Sequence, residues 1–160
     1  MFGITIICEG KLKEKYLRDA CGEYIKRLSA FCKLNIVELA PHRIPDNPSE
    51  NEIANALKAE GTEILSKIPN GAAVYAMCIE GKQMPSEKLA QRLSECQVKG
   101  YSSAVFIIGG SHGLSDEVKN RADFRLSMSE MTFPHQLARV MLLEQVYRAF
   151  QISTGGKYHK

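Results

Sequence analysis

The chain has 160 residues, 44% hydrophobic and 24% charged, enough apolar material for a single domain over residues 1–160 and too much for a disordered one. Its formal charge of +3 does not by itself mark a nucleic-acid module, and its basic residues gather in two stretches, Lys11 to Arg27 and Arg139 to Lys160. Five cysteines without a CxxC pair and four dispersed histidines point to free thiols in a reducing cytoplasm and to no metal site.

Gly3 to Cys8 is an apolar run with no basic residue before it, which reads as a first strand rather than a signal peptide. No apolar run approaches the roughly 20 residues that span a bilayer. Leu12 to Leu28 follows with Tyr16, Ala20, Tyr24 and Leu28 spaced by four, the period of an amphipathic helix. Lys33 to Leu39 is a second strand. The segment from Pro41 to Ser49 is a proline-rich loop, and Ser49-Glu50-Asn51-Glu52 has the capping-box pattern that opens a helix. That helix is expected to bury Ile53, Leu57, Ile64 and Ile68, with Gly61 weakening its middle by roughly 1 kcal/mol.

Ala72 to Ile79 reads as a third strand, and Pro85-Ser86 opens a helix carrying Leu89, Leu93 and Cys96. Ser103 to Ile108 is almost wholly apolar, as a central strand covered on both faces should be. A short helix from about Ser115 to Arg121, a strand through Phe124 to Ser127 and a helix from Pro134 to about Ile152 complete the chain. Pro134 suits a first helical turn, and Gly155-Gly156 stops the last helix. The alternation of strands and helices implies a mostly parallel α/β sheet of five or six strands.

In such a sheet ligands bind at the carboxyl edge, so three strand-to-helix turns stand out: Met77 to Gly81, Gly109 to Leu114, and Leu126 to Pro134. Gly109-Gly110-Ser111-His112-Gly113 exposes bare backbone but is neither a GxGxxG nor a P-loop, so a tight turn and a ligand loop are equally compatible with it. The third turn, with Met128, Ser129, Glu130, Met131, Thr132 and Phe133, suits an adenine and a sulfonium, though methionines of this kind more often fill core gaps. His135 and Arg139 lie four apart and are expected to face one crevice, or else to form a solvated pair.

The blocks Phe106 to Leu114 and Leu126 to Arg139, the ending Tyr158-His159-Lys160 and Gly10-Lys11-Leu12-Lys13-Glu14 closely resemble the RlmH (YbeA) family, the bacterial ribosomal RNA large-subunit methyltransferases H, which are minimal SPOUT enzymes. The resemblance implies a C-terminal trefoil knot and a homodimer. It implies S-adenosylmethionine held by Met77, Gly109 and the run Met128 to Phe133, and methyl transfer to N3 of a pseudouridine in 23S rRNA on the assembled ribosome. In that reaction Arg139 would stabilise the developing anion, His135 or His159 would accept the proton, and Tyr158 would help to close the pocket. One departure is Cys78, where many members carry an acid. The rival readings are a SPOUT enzyme with another RNA target, a ribosome-binding factor without catalysis, and a flavodoxin-like nucleotide-binding module, the last on fold pattern alone.

Overall fold

The computed structural model describes all 160 residues. Five parallel strands, β1 (Gly3–Glu9), β2 (Lys33–Leu39), β3 (Ala72–Lys82), β4 (Ser103–Ile108) and β5 (Phe124–Leu126), form one sheet in the order β2-β1-β4-β3-β5. Five helices connect and follow them: α1 (Lys15–Leu28), α2 (Glu50–Ser66), α3 (Ser86–Val98), α4 (Asp116–Arg121) and α5 (His135–Ser153). Because every strand runs the same way, all three turns singled out above open on one edge of the sheet.

The strand pleat sorts side chains onto two cores. Ile4, Ile6, Cys8, Tyr75 and Phe106 face α1, α3 and α5, where Leu28, Leu93, Leu142 and Leu143 close over them. Ile7, Val74, Val105 and Ile107 face the opposite way, toward Ile64 of α2 and Val118 of α4. All of β4 is buried, as its composition predicts for a strand covered on both sides. The apolar face of α5 is shared between the sheet and its neighbours: Leu142, Val146 and Phe150 are buried, while Leu137 stays exposed.

Three expectations need correction. The buried face of α1 is Leu17, Cys21 and Leu28, with Tyr16 exposed, rather than a stripe through Tyr16, Ala20 and Tyr24. The buried side of α2 is Ala56, Glu60, Gly61 and Ile64 rather than the line through Ile53 and Leu57, and Ile68 lies beyond its end. Gly61 is there because α4 crosses so closely that a Cβ would collide with the Ser115 hydroxyl, so the missing side chain is a packing requirement rather than a weakness. Pro134 stands as the N-cap of α5 with extended backbone, one residue before the first helical turn. The Ser49–Glu52 capping box forms in both directions.

Candidate active site

The three turns close on a cleft of about 420 Å³ at the carboxyl ends of β3, β4 and β5. Met77, Cys78, Ile79 and Glu80 form one wall, Gly109 to Leu114 the floor, and Met128, Ser129, Met131, Thr132 and Phe133 the other wall. Backbone geometry makes each part. Gly113 adopts φ of 80°, in the left-handed region, and its N–H donates to the Gly110 carbonyl, which folds the loop into a tight turn. A Cβ on Gly109 would collide with the Gly113 carbonyl, so only glycine lets β4 pass under that turn. The second wall is pinned because Ser127 N–H donates to Lys82 and its hydroxyl to the Ser129 carbonyl, while the Ser129 hydroxyl accepts from Met131 N–H.

Of the residues expected to hold a cofactor, Met77, Gly109, Met128, Ser129, Met131, Thr132 and Phe133 line this cleft. Glu130 is exposed and does not line it. Lys119 was not foreseen; it reaches the cleft from α4 and pairs with Glu80 at 2.6 Å. That hydrogen bond holds the Glu80 carboxyl below its ordinary range. Cys78 is half-buried with its thiol pushed up by burial, so the acid on this wall is Glu80.

His135 lines the cleft from the first turn of α5. Burial, and then the positive charges of Arg139 and Lys13, hold its pKa below the ordinary 6.5, so the ring is neutral at neutral pH. Arg139 does not share that crevice. It is 3% exposed, with one terminal nitrogen 2.6 Å from Glu38 Oε2 and the other donating at 3.0 Å to the Gly10 carbonyl. The helical spacing that suggested a shared crevice is right, but α5 is rolled so that one residue of the pair looks out over the edge and the other down onto β1 and β2.

The tail is also displaced from the cleft of its own chain. The Tyr158 hydroxyl donates to Glu144, its ring packs edge-on to Tyr147, and His159 lies between Glu87 and Arg148. Tyr158 and His159 thus dock beside α3 and α5, and neither lines the cleft. Next to them an apolar groove of about 550 Å³ runs between Met84, Leu89, Met128, Val140 and Met141.

A second cavity, of about 460 Å³, lies at the same sheet edge beyond the glycine turn, and Gly110, Ser111, His112 and His135 border both it and the cleft. Its lining is polar, with Glu9, Lys11, Lys13, His42, Glu60 and Gln136. No three His, Cys, Asp or Glu side chains converge as metal ligands, and no helix is long and apolar enough to cross a membrane.

The family model described as a predicted SPOUT methyltransferase matches residues 2–159. The chain is 54% identical to a protein of Clostridium novyi named ribosomal RNA large subunit methyltransferase H, over 98% of this chain and 99% of that one. Proteins of the same name from Clostridioides difficile and Streptococcus thermophilus are 52% and 51% identical over the same shares. Among solved structures, a probable methylase family protein from Haemophilus influenzae superposes with a TM-score of 0.52, covering 98% of this chain and 70% of that chain at 12% identity, a likeness of fold.

Proposed function

The chain belongs to the SPOUT methyltransferase family, and on that premise we propose that it is an enzyme of ribosomal RNA: as a cytoplasmic homodimer it transfers a methyl group from S-adenosylmethionine to N3 of a pseudouridine in 23S rRNA, on the assembled ribosome. The observation that carries this reading is the cleft at the β3–β4–β5 edge, built by the three turns and present in a chain that matches large-subunit methyltransferases H along its whole length.

The cleft fits the cofactor. Its volume falls in the range of small-molecule sites, roughly 300 to 1,000 Å³. Met77, Met128 and Phe133 offer apolar walls to an adenine ring, the Gly109–Gly110 backbone is bare, and Glu80 presents a carboxylate suited to ribose hydroxyls. When bound, S-adenosylmethionine supplies an activated methyl group on a sulfonium. The chain's own residues do the rest. Holding the target nitrogen in line with that methyl is worth up to about 7 to 11 kcal/mol in favourable cases.

His135, neutral and at the border of both cavities, is the proton acceptor for the imide N–H, a role worth roughly 10² to 10⁴ in rate. Arg139 acts as a positioning residue. Its terminal nitrogens are committed to Glu38 and Gly10, so it fixes the first turns of α5 against β1 and β2 and keeps His135 deprotonated through its charge. This differs from the direct contact with the anion that the resemblance and the residue type implied.

A dimer accounts for the apolar groove at Met84, Met128, Val140 and Met141. Tyr158 is tied to Glu144, which lines that groove, so in a dimer joined there the tail lies at the interface and completes the partner's site rather than its own. The trefoil threading is compatible with the chain path, which leaves the β5 edge through Ser127–Pro134 and returns as α5 to reach Glu38 on the opposite edge strand.

The test is incubation with labelled S-adenosylmethionine and intact ribosomes, isolated large subunits or naked rRNA from a strain lacking the enzyme. Incorporation into intact ribosomes, mapped to a pseudouridine, is the expected result. Incorporation at another nucleotide would favour a different RNA target, and no incorporation with no cofactor binding would leave a non-catalytic ribosome-binding factor.

A further inference from the structure

The end of β1 carries a group that the fold does not use. The pleat turns Ile7 and Glu9 to the α2 side of the sheet, so Glu9 stands where that core runs out at the carboxyl edge. Its side chain is 3% exposed, both carboxylate oxygens are buried, and neither has a hydrogen-bond partner. Glu60 and Glu63 of α2 face it with like charge, and burial together with that repulsion pushes its carboxyl up to about 7. A buried acid left without a donor disfavours folding, and the next residue on the same face of the strand is the apolar Ile7. What Glu9 does border is the polar cavity, whose rim carries Lys11, Lys13 and His42.

We infer that this cavity seats the nucleobase to be methylated, with the Glu9 carboxyl accepting a ring N–H that a pseudouridine has and a uridine lacks. The inference rests on the function proposed above. Three features support it. The cavity is lined mainly by charged and polar residues, where half of those lining the cofactor cleft are hydrophobic, and it meets that cleft along Gly110, Ser111, His112 and His135, so a base held there faces the methyl donor across the glycine turn. Bare backbone at Gly110, where a Cβ would find only Glu9 at 3.7 Å, leaves room for that approach. The rim lysines suit the phosphates on either side of a base turned out of its strand.

The chemistry of the base completes the argument. Pseudouridine is joined to ribose through carbon and so carries two ring N–H groups, N1 and N3. When N3 is the methyl acceptor, N1–H is the donor left for a carboxylate. Uridine is joined through N1 and has no hydrogen there, so it would leave Glu9 as unpartnered as it stands now. A site whose buried polar group is satisfied by only one of two isomers discriminates strongly between them.

The experiment compares the wild-type dimer with Glu9→Leu and Glu9→Gln on ribosomes that carry either pseudouridine or uridine at the target, the latter from a strain without the responsible pseudouridine synthase. Glu9→Leu is expected to bind S-adenosylmethionine within about twofold of wild type, to lose at least roughly tenfold in kcat/KM on pseudouridine, and to lose most of its preference over uridine. Glu9→Gln, whose amide oxygen still accepts, is expected to fall between them. Unchanged kcat/KM and unchanged discrimination in Glu9→Leu would overturn the inference while leaving the methyltransferase reading intact. Dissociation of Glu9→Leu into monomers would overturn it too, by assigning Glu9 a donor from the second subunit. A wild-type protein that methylates neither ribosome would instead sink the function on which the inference rests.

Discussion

The two cavities on either side of the glycine turn differ in kind. The cleft under β3, β4 and β5 is walled by methionines, a phenylalanine and backbone, and its one acid is paired with Lys119. The cavity over β1 and α2 is lined by charged and amide side chains, and it contains a carboxylate with no partner. The first has its charged groups already paired and is the one proposed above for the cofactor. The second is electrostatically unfinished, which is the condition of a site that becomes satisfied only when occupied. His135 lines both, so the division proposed above between holding the methyl donor and handling the target would run through one residue.

The largest expected effect lies at that border. His135→Ala should lower kcat by about 10² to 10⁴ while leaving cofactor affinity within a few-fold, read by single-turnover methylation beside calorimetry. Because the pKa of His135 is depressed, wild-type kcat should already be on its plateau at pH 7 and fall as pH drops well below 6.5, where the ring gains its proton. A rate still climbing above pH 7 would assign the base elsewhere. Next in size is Arg139→Ala, which strands the Glu38 carboxylate and unties α5 from Gly10. It should destabilise the fold by about 3 kcal/mol in chemical denaturation, and both cavities should suffer together.

The smallest effect separates the cavities by pH. The Glu9 carboxyl is raised from 4.5 to about 7 in the fold, so its protonated form is favoured there. Its contribution to stability is therefore fully present below pH 4.5 and is lost as pH rises through about 7. Glu9→Leu should flatten that dependence and, at pH 8, stabilise the chain by about 1 to 2 kcal/mol, seen as a higher melting temperature. A variant less stable than wild type at pH 8 would mean that the carboxylate has a partner in the folded protein.

The cleft was legible in the chain because each wall is a contiguous segment at the end of a strand. Composition left Gly109 to Gly113 open between a tight turn and a ligand loop, and Met128 to Phe133 open between core filling and a ligand wall, but both segments stand at strand ends, and parallel strands bring those ends together. The strand β4 was equally plain, since its apolar run is bounded by serine and glycine. The second cavity was not legible. A glutamate after an apolar strand reads as the place where the chain meets water, and only α2 folding over the strand end turns Glu9 into a buried group.

The same holds for Arg139, whose partner Glu38 is 101 residues away, and for the tail, whose partners lie on α3 and α5. The face of α2 was misread because large apolar residues outline one stripe, while the real contact is set by the absence of a side chain at Gly61. Long-range pairing and close approach leave no periodicity to find.

The most direct test of the account is a calorimetric titration of S-adenosylmethionine into wild type and Gly109→Ala. A Cβ at that position meets the Gly113 carbonyl and must shift the floor of the cleft without touching the second cavity's carboxylate. The account predicts one cofactor site per chain and an affinity about 100-fold weaker in the variant, close to 2.7 kcal/mol. Undiminished binding in Gly109→Ala would contradict it, because the cofactor would then lie somewhere other than the edge of β3, β4 and β5.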